Sequence, residues 1–191
     1  MTETTVSVKG TILLDLVKQV RTAKDLDWGA YLTPEDLAMI DEEIMASAWY
    51  PDDFFYRISL AVYKVVGESK MEACFAYGNL LAYKMGDVYK NIVVKGDPGT
   101  SIERFIVRRR SFFRDEYPDA KKNFFEKYTG RVMFRIYVDT KIRGKEVAPV
   151  LIYSILGTMH ELTKITGGKN VESFMEDKHD CFDLTVKWDE P

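Results

Sequence analysis

The sequence predicts an α+β domain with N-terminal helices packed on a small C-terminal antiparallel sheet. Two observations carry the order of elements. From Gly10 to about Arg114, apolar residues recur at helical spacing. Strict alternation appears only later, in "RVMFRIYVDT" (131–140) and "CFDLTVKW" (181–188). A third bounds the domain count. No repeat, low-complexity tract or Pro/Gly/Ser linker divides the 191 residues, so one domain over 1–191 is expected.

"GTILLDLVKQVRTA" (10–23) places Ile12, Leu13, Leu16, Val17 and Val20 on one helical face. The next helix has a clear start. Thr33 is the N-cap, Pro34 is the first helical residue and Asp36 is a short capping-box acid; an end near Ser47 is expected, ahead of Pro51. A third helix runs over about 52–66 with Phe54, Phe55, Ile58 and Ala61, and stops at Gly67. A long fourth helix is expected over about 69–94, and a fifth from a Ser101 cap to about Arg114. "DAKKNFFEKY" (119–128) reads as a short amphipathic helix. The pattern then switches to strand 131–140, an apolar helix over about 147–164 and two strands, 170–175 and 181–188, joined by the hairpin "EDKHD".

Bulk composition excludes several function classes. Lys and Arg total 27 against 30 Asp and Glu, a net charge of −3, so there is no general basis for nucleic-acid binding. No apolar run approaches the roughly 20 residues a membrane span needs. No basic, then apolar, N-terminal segment suggests a signal peptide. A soluble cytoplasmic protein is the resulting expectation. Cys74 and Cys181 do not amount to a disulfide scaffold.

Three clusters carry candidate chemistry. Glu176, Asp177, His179, Asp180 and Cys181, with His160 from the preceding helix, offer donor types that bind divalent metals. They lack C-x-x-C or H-x-x-x-H spacing, and a polar turn leading into a core strand is the expected reading, with no metal and no cofactor. Cys74, Gly78, Ala82 and Gly86 recur every four residues, stacking small side chains along one helix face. That face either admits a second helix closely or forms one wall of an apolar ligand site, with Trp49, Tyr50 and Phe54 nearby. Arg104, Arg108, Arg109, Arg110 and Arg114 share a helix with Ser101. They read as an anion site or as a solvated face offset by Glu103 and Asp115. G-x-S-x-G, a Walker-type loop, a dinucleotide fingerprint and H-E-x-x-H are all missing from the sequence, and "KGDPGTS" lacks the Lys-Ser/Thr ending of a phosphate loop. A non-enzymatic protein is expected.

The element order, with "ASAWYPDDFFYRI", "FAYGNLLAYKMGD" and the terminal "CFDLTVKW", resembles a superfamily of ligand-binding domains. It unites TRAPP vesicle-tethering subunits, vinyl-reductase-type domains and haem-nitric-oxide-binding (H-NOX) domains. The chain is most similar to uncharacterised bacterial single-domain members. The resemblance implies helices packed on one side of a small antiparallel sheet, an apolar cavity at the helix–sheet interface, and homodimers formed through helices. Some TRAPP relatives hold an acyl chain on a helix cysteine, and Cys74 is the nearest match by position. Haem-binding members use a histidine on a helix ahead of the sheet and a Tyr-x-Ser-x-Arg motif. This chain has no histidine before His160 and reads "YTGRV" at 128–132, so haem held in that manner is not expected.

The leading functional expectation is a non-enzymatic sensory domain of signalling type that binds an apolar small molecule or lipid. The alternative is an interaction module forming a homodimer, or binding a protein partner, through the small-residue face. A metal-dependent enzyme built on His179 and Cys181 is the third reading.

Overall fold

The computed structural model describes residues 6–114, 122–138 and 145–189. Those residues form six α-helices and two antiparallel sheets, an α+β arrangement. Strand β1 (Ser7–Lys9) leads through one 3₁₀ turn into α1 (Leu14–Thr22). Helix α2 (Pro34–Asp41) follows with the expected capping box: the Thr33 hydroxyl accepts from the Asp36 N–H, and Asp36 accepts from the Thr33 N–H. It stops at Asp41 rather than near Ser47. The Arg21 guanidinium donates to the carbonyls of Ile40 and Glu42, closing the C-terminus at that point.

Strand β2 (Trp49–Pro51), helix α3 (Asp52–Val65) and helix α4 (Met71–Val88) come next. Glu68 and Ser69 adopt left-handed backbone conformations, which delays the start of α4, and Tyr89 leaves helical geometry at its end. Helix α5 (Pro98–Arg110) begins ahead of the expected Ser101 cap. Asp97 is the cap, accepting from the Thr100 N–H at 2.9 Å, and Pro98 follows it. Ser101 is fully buried, accepting from the Val94 N–H and donating to the Asp97 carbonyl.

Strand β3 (Phe113–Arg114) pairs with β1, giving a small sheet of order β2–β1–β3. Strands β4 (Phe124–Tyr128) and β5 (Arg131–Tyr137) form a hairpin, so the expected helix at 119–128 is a strand over its described part. Its aromatic residues fit a pleated surface, and Gly130, at φ +64°, makes the turn. Helix α6 (Val147–Ile165) precedes β6 (Lys169–Asp177) and β7 (Cys181–Asp189). The second sheet has the order β4–β5–β7–β6, with Phe182, Leu184, Val186 and Trp188 buried on one face of β7.

Two hydrophobic clusters result. One joins β1, α1, α2 and α3 around Leu13, Phe54 and Ile58; the other joins α5, α6 and the four-stranded sheet around Phe134, Met159 and Leu184. Helix α6 spans both, with Val147 and Leu151 in the first and Ile152 to Leu162 in the second. Each fully buried large side chain of α6 contributes about 1.5–3 kcal/mol. None of the described helices is long and apolar enough to cross a membrane.

Candidate functional site: an apolar cavity between two cores

A cavity of about 420 Å³ lies where the two clusters meet. Helices α1, α3, α4, α5 and α6 all contribute to its walls. Phe55, Val62 and Leu16 line it from the first cluster, and Phe105, Ile155 and Met85 from the second. A volume of this size suits a small organic ligand.

The polar groups on the wall differ in how far they are satisfied. The Ser59 hydroxyl donates to the Phe55 carbonyl at 2.7 Å. Thr158 donates to the Gly78 and Ser154 carbonyls, each at 3.0 Å. Cys74 is buried, and burial pushes its thiol up to about 11, so it is neutral at physiological pH. Tyr77 is different. Burial first, and the charge of Asp15 second, push its phenol well above the ordinary range. Its hydroxyl makes no hydrogen bond among the described residues. At the rim, Lys84 on α4 donates to Asp15 on α1 at 2.5 Å, and both remain partly exposed.

Of the residues expected at a ligand wall, Cys74 lies on this cavity, whereas Gly78, Ala82, Trp49, Tyr50 and Phe54 are elsewhere. A Cβ on Gly78 would sit 2.0 Å from the Ser154 carbonyl oxygen, and one on Gly157 would sit 2.1 Å from that of Phe75. At Gly78 the small-residue face is therefore packed closely against α6 inside the chain. Ala82 is fully buried in the sheet-side cluster. Phe54 is fully buried in the first cluster, and the Tyr50 hydroxyl accepts from the Met45 N–H. Trp49 is 39% exposed, with Lys9 and Arg114 over its ring.

Helix α4 carries a second stripe that sequence reasoning passed over. Cys74, Tyr77, Leu81, Lys84, Met85 and Val88 recur at three- and four-residue steps and all face the cavity. The signal lies in that spacing, overshadowed by the adjacent Gly/Ala stripe.

The other candidate clusters separate. His179 stands exposed in the β6–β7 turn at φ +71°, its N–H donating to Asp177, while Lys178 pairs with Glu176 and Cys181 is buried. His160 pairs with Ser173 at 2.8 Å and packs on Phe75; burial, then Lys164, lowers its pKa. Among the described residues no three His, Cys, Asp or Glu side chains gather as a metal site. Three of the arginines are committed locally, while Arg110 is exposed at the end of α5 and Arg114 lies in β3. Arg104 donates to the Asn91 carbonyl, Arg108 lies over Tyr89 at 4.1 Å, and Arg109 lies over Phe113 at 4.9 Å. Asp115, the expected offsetting acid, lies outside the described residues.

No family model matches the sequence. No curated protein matches it either. The fold, however, matches solved H-NOX structures. An Fe(II) unliganded H-NOX protein from K. algicida superposes with a TM-score of 0.61 at 14% identity, covering 96% of this chain and 97% of that one. A mutant structure of the T. tengcongensis H-NOX gives 0.59 at 14% identity, covering 96% and 98%. A structure solved to probe heme distortion in the H-NOX family gives 0.61 at 15% identity, covering 96% of each chain. The chain has an H-NOX-like fold.

That fold raises haem as a candidate group, and the donor set on the cavity tests it. Helix α5, directly ahead of the four-stranded sheet, presents Phe105 and Arg109 to the cavity and no imidazole. Neither of the chain's two histidines lines the cavity. Tyr128 and Arg131 stack on each other at 4.5 Å in the β4–β5 hairpin and do not line the cavity. The residues present do not fit a histidine-ligated haem.

Proposed function

We propose that this chain is a non-enzymatic, cytoplasmic small-molecule sensor domain that uses an H-NOX-like fold to bind an apolar ligand directly. Its affiliation is with the bacterial single-domain members of the superfamily, apart from the haem-ligating ones. The cavity where the two cores meet carries this reading: apolar side chains from five helices surround a volume of ligand size. Two free cysteines agree with a reducing compartment.

The test is uptake of Nile red, a neutral apolar dye, by the purified protein, together with native mass spectrometry. Binding with dye emission shifted to the blue is expected, and Leu151→Trp, which fills the cavity from α6, should abolish it. A clean apo mass combined with no dye or lipid uptake overturns the proposal. Added haemin should give no histidine-ligated Soret spectrum.

A further inference from the structure

We infer that the cavity selects an uncharged, aromatic ligand carrying one hydrogen-bond acceptor, and that the Tyr77 hydroxyl is the donor that recognises it. This rests on the cavity being a ligand site and names the ligand class.

Three observations converge. First, the Tyr77 hydroxyl has no partner among the described residues, although it lies on the wall of an apolar space. Of the other hydroxyls on the wall, those of Thr11, Ser59, Tyr63 and Thr158 donate to backbone carbonyls, and Ser154 and Tyr89 are the further candidate donors beside Tyr77. Tyr77 is partly buried, and its hydroxyl, with no partner among the described residues, is free to donate to an oxygen atom bound in the cavity.

Second, the charges on the wall argue against an anion. Lys84 is bound to Asp15, and Arg109 is engaged with the Phe113 ring. Asp15 lines the same cavity as Tyr77, and its negative charge disfavours further negative charge there. A carboxylate head would thus meet a negative neighbour and no spare cation on the described wall, whereas a carbonyl or ether oxygen meets only a donor.

Third, the lining favours a flat conjugated body. Phe55, Phe105, Phe112, Phe113 and Tyr89 contribute aromatic side chains to the lining, and Met85 contributes a polarisable sulfur.

Three naphthalenes of similar size separate the possibilities by isothermal titration: 2-acetylnaphthalene, with an acceptor; 2-isopropylnaphthalene, with none; and 2-naphthoate, an anion. The wild-type protein should prefer the ketone over the hydrocarbon by about five- to tenfold, and naphthoate should bind weakest. Tyr77→Phe should erase the ketone's advantage and leave hydrocarbon binding unchanged. An advantage that survives in Tyr77→Phe, or naphthoate binding tightest, overturns the inference while leaving the ligand site intact. Binding of none of the three overturns this inference; together with a clean apo mass and no Nile red uptake it removes the site as well. A measurement independent of the variant is the infrared carbonyl band of bound 2-acetylnaphthalene. It should move to lower wavenumber than in hexane, and an unshifted band overturns the inference.

Discussion

Cys74 shows how one side chain reports the polarity around it. Burial lifts its thiol from an ordinary 9.0 to about 11, which makes thiolate about a hundredfold scarcer at pH 8. In a Cys181→Ser background, iodoacetamide should alkylate Cys74 at least about tenfold more slowly than a solvent-exposed cysteine. Mass spectrometry over time reads the rate, and alkylation at the exposed rate contradicts an apolar wall. Asp36 gives a second residue-scale prediction. Burial raises its carboxyl, but the Arg57 guanidinium at 2.7 and 2.8 Å and the Thr33 N–H outweigh that and hold it below the ordinary value. Because the folded form is the stronger acid, this group's contribution is full above the unfolded pKa, near 3.8, and is lost as pH falls through the folded one. Asp36→Asn should cost about 1–3 kcal/mol at pH 7 in urea unfolding and flatten the acid limb. An unchanged acid limb would refute this.

At the scale of elements, the α4–α6 contact decides how the cavity is framed. Gly78 and Gly157 each let a carbonyl of the other helix approach where a Cβ would stand. Gly78→Ala should therefore lose about 2–3 kcal/mol, lowering the melting temperature by about 5–10 °C. Gly86→Ala, whose Cβ would meet only the tip of Val93, should change stability by under about 1 kcal/mol. Equal effects from the two would show that the contact is not the cause. Period and capping make most of this framework legible in advance: the capping box at Thr33, the alternation of β5 and β7, and the long apolar α6 all leave local signatures. The small sheet does not, because strands of three, three and two residues are too short to show a period. Strand β4 reads as a helix in isolation because its pattern of paired aromatics and charges suits either element, and pairing with β5 decides it. The cavity is legible only through Cys74. Its other walls come from helices far apart in sequence, and a void between packed elements has no signature in any one of them.

For the whole molecule, a ligand that binds only the folded state stabilises it by mass action. At a free concentration of a hundred times Kd the gain is about 2.7 kcal/mol, or a rise of roughly 5–10 °C in melting temperature for a domain of this size. Differential scanning fluorimetry with 2-acetylnaphthalene should show that rise in the wild type and none in Leu151→Trp. Equal shifts in both would place the ligand elsewhere. The rim pair of Lys84 and Asp15 has a kinetic counterpart to this equilibrium. It ties α1 to α4 across the opening, and a partly exposed ion pair weakens as salt rises. An uncharged ligand should thus enter and leave faster at high ionic strength, with both rates moving together and affinity almost unmoved. Asp15→Asn should be fast at every salt concentration, because this single ion pair then no longer holds α1 to α4.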